Sequence, residues 1–163
     1  MKNSIFKVLL IFTVYLCCTF NLQAKPLLTA YPDAKLENKV TLAGAETQLV
    51  SAFNPALKKS QQFEYKTFIG DVSHFSYQVK NVASLKVMEN YKNALSDAGF
   101  KVLYTCSLND CYEKREDKLL AEESSYFNVS RYYSQPHYIY AIKGDLPEAA
   151  ISLFVGQYKN TTQ

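Results

Sequence analysis

The chain has 163 residues, with 18 lysines and arginines against 15 acidic side chains, four cysteines, 13 tyrosines and no tryptophan. That length suits one domain. The near balance of charge, without a dominant run of one sign, excludes the electrostatic footprint of a nucleic-acid or anionic-membrane binder.

The N-terminus reads as an export signal. Lys2 and Lys7 give a basic start, Val8 to Phe20 form an apolar run, and "NLQA" ends on the small residue Ala24. This is the order of a secretory signal peptide, with cleavage expected after Ala24. The run is shorter than the ~20 residues of a membrane-spanning helix, so no transmembrane span is expected after cleavage. Cys17 and Cys18 leave with the signal. Bulky residues precede them, unlike a lipoprotein site. Residues 25–163 then form a single globular domain of 139 residues, with 16 basic against 15 acidic side chains. A chain of that size can bury about two-thirds of its unfolded surface.

Residues 25–39 read as an irregular lead-in, with a turn at Tyr31-Pro32-Asp33. Thr47–Phe53 is a candidate strand, and 54–62 a loop. Residues 64–79 form the clearest strand region. Phe75, Tyr77 and Val79 alternate with Ser76 and Gln78, the period of a half-buried strand, and Gly70-Asp71 marks a bulge or turn within it.

The spacing of Leu85, Met88, Tyr91, Leu95 and Ala98 predicts a helix over 84–98 with one apolar stripe. Ser84 is the expected N-cap. Gly99 stands at the left-handed C′ position, and Phe100 can fold back on Leu95. A strand follows, with Phe100, Val102, Tyr104 and Cys106 expected on one face. "SLND" is turn-like. Residues 112–126 are open between helix and loop, because like charges four apart oppose a helix there. Residues 137–143 and 151–158 are two further strands, joined by "GDLPEAA". The expected fold class is α+β: a mostly antiparallel sheet with one main helix, about 84–98, packed on one face.

With Cys17 and Cys18 removed, Cys106 and Cys111 remain. An even pair in an exported protein is most simply a disulfide, here expected between opposed residues across a four-residue turn. Zinc is the alternative, but His74 and His137 lie far apart and lack paired-ligand spacing. A redox pair would favour a shorter Cys-x-x-Cys near a helix start. His74 shares the Ser76/Gln78 face and reads as a solvated strand histidine. No phosphate loop, nucleophile elbow or other catalytic constellation is present. A non-enzymatic role with no cofactor and no metal is expected.

The tyrosines around "RYYSQPHYIY" admit two readings. Tyr138 and Tyr140 can cover one side of the sheet beside Ile142. Arg131, Tyr132 and Tyr133, just before the strand, are the candidate interface for an envelope protein, glycan or lipid partner.

The stretches "PLLTAYPDAKL", "SLKVMENYKNALSDAGFKVLYTCSLNDC" and "YIYAIK…ISLFVG" together resemble an uncharacterised family of Gram-negative envelope domains. That family is a domain of unknown function often found N-terminal to OmpA-like peptidoglycan-binding domains. Asn90-Tyr91, Ala94-Leu95, Ala98-Gly99-Phe100, Cys106 and Cys111 carry most of the likeness. The resemblance implies an exported protein of the periplasm or outer-membrane periphery, and it assigns no catalytic residue. Tyr112 stands where the family often has glycine, and no OmpA-like domain is expected within residues 25–163. Two function classes follow: a non-enzymatic cell-envelope accessory or binding module, or a small outer-membrane β-barrel. The helix over 84–98 argues against the barrel, whose spans are strands.

Overall fold

Two strands of unusual length organise the first half of the chain. The computed structural model describes residues 27–54, 56–58, 61–111, 133–145 and 147–163. β1 runs from Lys35 to Phe53 and β2 from Phe63 to Lys80, paired antiparallel along their lengths. The turn at Pro32 and Asp33 is present. The lead-in is shorter than expected, however, because the strand of Thr47–Phe53 already begins at Lys35. The break anticipated at Gly70-Asp71 lies across the ladder instead. β2 is continuous, and the bulge sits in β1 between Leu42 and Ala45, opposite Val72 and Gly70. There Gly44 takes φ +60° and donates its N–H to Asp71 Oδ1 at 3.1 Å. The Asp71 signal was real, but the residue that bends is its partner across the pair.

α1 spans Ser84–Asp97, and its N-cap is Ala83, not Ser84. Ser84 is fully buried, and its hydroxyl donates to the Gln135 carbonyl at 2.9 Å. A buried hydroxyl must find a partner, and the kinked start of β4, where Gln135 has φ +51°, supplies one. The buried stripe is Ser84, Val87, Met88, Tyr91 and Leu95. Leu85, expected in that stripe, is 54% exposed, since one residue from Ser84 turns a side chain about 100° around the helix. At the C-terminus, Gly99 has φ +77°. Its N–H reaches Ser96 O at 2.9 Å, and the Phe100 N–H reaches Leu95 O at 2.9 Å. This is the Schellman pattern, with the Phe100–Leu95 apolar contact inside the core.

The remaining strands are β3 (Lys101–Ser107), β4 (Ser134–Lys143), β5 (Ala149–Tyr158) and β6 (Thr161–Thr162). The sheet order is β1-β2-β6-β5-β4-β3, and all pairs are antiparallel. With six strands and one helix, the described residues are predominantly β and fit an α+β class at that level.

Side-chain alternation along β4 divides the core in two. Ile139 and Ala141 join Val155, Val87, Met88, Tyr91, Leu95 and Phe100. Tyr138 and Tyr140, with Ile142 packed against them, join Val50, Phe53, Cys106 and Cys111. One expectation for β3 fails. Phe100 belongs to the first cluster, whereas Tyr104 and Cys106 face the second. Val102 opposes Ala141 and Tyr104 opposes Tyr140, so Leu103 is an extra residue that flips the alternation.

Cys106 and Cys111 are joined with Cα atoms 5.2 Å apart. They are not opposed residues of a hairpin, as the sequence suggested. Cys106 opposes Tyr138, and Cys111 returns through a single 3-10 turn, Leu108–Cys111, that starts from φ +51° at Leu108. Both cysteines are buried in the second cluster. The question of helix or loop over 112–126 lies outside the described residues, as does the signal segment. Among the described residues no helix is long and apolar enough to cross a membrane.

Candidate binding groove

β2 and β5 are neighbours in the sheet only through the two residues of β6. Thr161 and Thr162 pair with Lys80 and Val79 on one side, and with Tyr158 and Gln157 on the other. Beyond them, Gly156 and Gln163 exchange backbone hydrogen bonds at 2.8 and 2.9 Å. No further pairing joins β2 to β5 among the described residues, and a groove of about 620 Å³ runs between them.

One wall is β2 from Phe68 to Val79, and the other is β5 from Ala149 to Val155. Leu28, Tyr31, Val87 and Tyr91 line it from the helix side. The lead-in is pinned there by the Tyr31 N–H, which donates to Tyr91 Oη at 3.1 Å. The lining is mostly apolar and aromatic. Among the described residues its ionisable groups are Asp71, Glu148, His74 and four tyrosines, with no lysine or arginine. His74 is half-buried, not the solvated histidine expected, and desolvation holds its pKa below the ordinary 6.5. Burial thus disfavours its charged form, and Asp71 and Glu148 are the carboxylates among the described lining residues.

Tyr133 closes the end of the groove next to β6. It is 4% exposed, its hydroxyl donates to Gln163 Oε1 at 2.6 Å, and its ring meets Phe154 edge-on at 5.5 Å. Gln163 Nε2 in turn donates to Ser76 Oγ at 2.8 Å. The chain Tyr133–Gln163–Ser76 thus ties the start of β4 to β2 across β6. Of the candidate interface, Tyr133 is buried in the end wall of the groove. Arg131 and Tyr132 lie outside the described residues.

Other tyrosines tether the long hairpin. Tyr138 donates to Val50 O at 2.6 Å, and Tyr104 to Phe53 O at 3.0 Å. Burial raises the pKa of Tyr138 strongly, and those of Tyr91, Tyr104 and Tyr140 as well, so the neutral form of each phenol is favoured.

His137 is buried at 2% exposure on β4, with Nδ1 3.0 Å from Ser107 Oγ. Its Nε2 has no hydrogen-bond partner among the described residues. Burial lowers its pKa, Lys92 lowers it further, and Glu89 opposes both. Among the described residues no carboxylate is hydrogen-bonded to the imidazole, the third member that a serine-histidine nucleophile uses. Among the described residues no group of three or more histidine, cysteine or acidic side chains could hold a metal ion.

The groove was not legible in the sequence, although part of its end wall left a signal. Within "KNTTQ", Lys159 takes φ +54° in a tight turn and the two β-branched threonines form β6. No family model matches the chain, and no curated protein matches it.

Proposed function

We propose that this chain is a non-enzymatic accessory or binding module of a Gram-negative cell envelope. Its N-terminal signal sends it to the periplasm or the outer-membrane periphery, and it is akin to the uncharacterised envelope family that its helix and cysteine region resembles. Export is supported by the basic-apolar-small order of residues 1–24. The buried Cys106–Cys111 pair fits an oxidising compartment. In this reading α1 covers one face of the β3-β4-β5 sheet and the β1–β2 hairpin covers the other, so the sheet serves as a rigid frame for the groove.

The observation that carries the reading is the groove between β2 and β5: a mostly apolar concavity with a few fixed polar groups, the usual form of a recognition site. Ile69 stands at its rim and is 79% exposed. A photoreactive benzoylphenylalanine at Ile69 should give a discrete adduct in intact envelopes. The same residue at Leu85, exposed on α1 outside the groove, should give none. Equal adducts from both positions, or none from Ile69, would refute binding through this groove.

A further inference from the structure

The strand edges that face each other across the groove say what kind of ligand fits. Gly156 exchanges both backbone hydrogen bonds with Gln163, so its N–H and C=O point toward the β6 line. Because that direction alternates along a strand, Phe154, Ser152 and Ala150 point their backbone groups the same way. Their neighbours Val155, Leu153 and Ile151 turn theirs toward β4. On the opposite wall the Asn81 N–H donates to Asn160 O at 2.8 Å, and Val79 pairs with Thr162. The same period directs Tyr77, Phe75 and Ser73 at the groove. Among the described residues no strand pairs with either row. The groove is thus a slot between two open strand edges, and β6 occupies only its closed end.

We propose that the slot takes an extended peptide segment of another protein, which continues the line of β6 and pairs with β2 and β5 together. This rests on the reading of the groove as a binding site and names its ligand class. Strand addition supplies affinity through main-chain hydrogen bonds, and alternate side chains supply selectivity. An acyl chain would fill the apolar lining but leave two rows of half-buried backbone donors and acceptors without partners, which is costly. A second copy meeting edge to edge would use one row, whereas the slot presents two.

Ala149 to Val155 gives room for about seven residues, or roughly 23 Å of strand. A segment antiparallel to β5, as β6 is, ends near Glu148. Asp71 likewise lies on β2 far from the residues that hold β6. With two carboxylates and no lysine or arginine among the described lining residues, the fitting segment alternates apolar residues, carries no acidic ones and ends in a basic one.

The test uses a fluorescent, terminally blocked peptide of about nine residues that alternates valine with threonine and ends in lysine. Its control is the same peptide N-methylated at every second amide, so that it keeps its side chains and loses half of its donors. The parent should bind saturably and the control at least about tenfold more weakly. Binding should slow amide exchange at Ala150, Ser152 and Phe154. Ala150→Pro removes one slot-facing N–H near the start of β5 without removing an N–H that serves the β4 pairing, and should weaken binding similarly with an unchanged melting temperature. Equal binding of the two peptides overturns strand pairing while leaving the groove as a binding site. No binding of either overturns the proposal, and the Ile69 adduct then decides the groove separately. Concentration-dependent dimers that protect the same amides overturn it in favour of a second copy.

Discussion

Gly156→Ala tests the end wall of the groove directly. A Cβ built at Gly156 would lie 2.6 Å from Tyr133 Cβ, 2.8 Å from Tyr133 Cγ and 3.0 Å from Phe154 Cε1. Carbon atoms in comfortable contact are about 3.5–4.0 Å apart. The nearest atom is a Cβ, which no rotamer change can move, so the backbone at the start of β4 or in β5 must shift. Overpacking of this kind costs about 1–3 kcal/mol. A shift that separates Tyr133 from Phe154 also forfeits an aromatic contact worth about 0.5–1.5 kcal/mol. Replacing a strand glycine with alanine recovers about 0.5–1 kcal/mol of backbone entropy. The net expectation is a loss of about 2 kcal/mol, read in urea as a midpoint lower by about 1 M for slopes of 1–3 kcal/mol/M. A second variant separates this clash from a general effect. Tyr133→Ala keeps the offending Cβ and should leave Gly156→Ala costly. Tyr133→Gly removes it, and in that background Gly156→Ala should become neutral or stabilising. A midpoint unchanged or raised by Gly156→Ala in the otherwise native chain would refute the close packing of Tyr133 on β5.

The Cys106–Cys111 link should show no free thiol in unfolded, unreduced protein and two after reduction. Because the closed loop is short, Cys106→Ser with Cys111→Ser should remove about 2 kcal/mol of chain-entropy stabilisation; thiols reactive before reduction would contradict the bond. Gly99→Val forces a β-branched residue into φ +77° and should destabilise by about 1–2 kcal/mol or more, so an unchanged midpoint would remove the Schellman cap. His137 has its pKa held below 6.5, chiefly by burial. In the window just below pH 6.5 the unfolded chain therefore binds more protons, and stability should fall as pH drops through it. His74 contributes in the same direction. Urea midpoints at pH 7.5 and 5.5 should differ in the native chain and differ less in His137→Asn, and equal differences would refute the role of His137.

The sequence alone was sufficient wherever the cause was local. α1 and its stop at Gly99 were legible because a 3.6-residue period and a left-handed glycine depend on residues within a few positions of each other. The strand character of Phe75–Val79 and of residues 137–143 was legible for the same reason, and so was the pairing of Cys106 with Cys111. Where a residue's surroundings come from distant chain, the reading failed. Ser84 looks like a cap, but its hydroxyl is claimed by Gln135, 51 residues away. Asp71 signalled a bend whose site is Gly44, across the ladder. Leu103 broke an alternation that only the register against β4 reveals. That Gly156 and Phe154 enclose Tyr133 is announced by nothing in its own neighbourhood. The groove belongs wholly to tertiary structure. Among the described residues it lies where β2 and β5 run on past Thr161 and Thr162, and strand edges that face each other are a property of the gap between elements, which no single segment encodes.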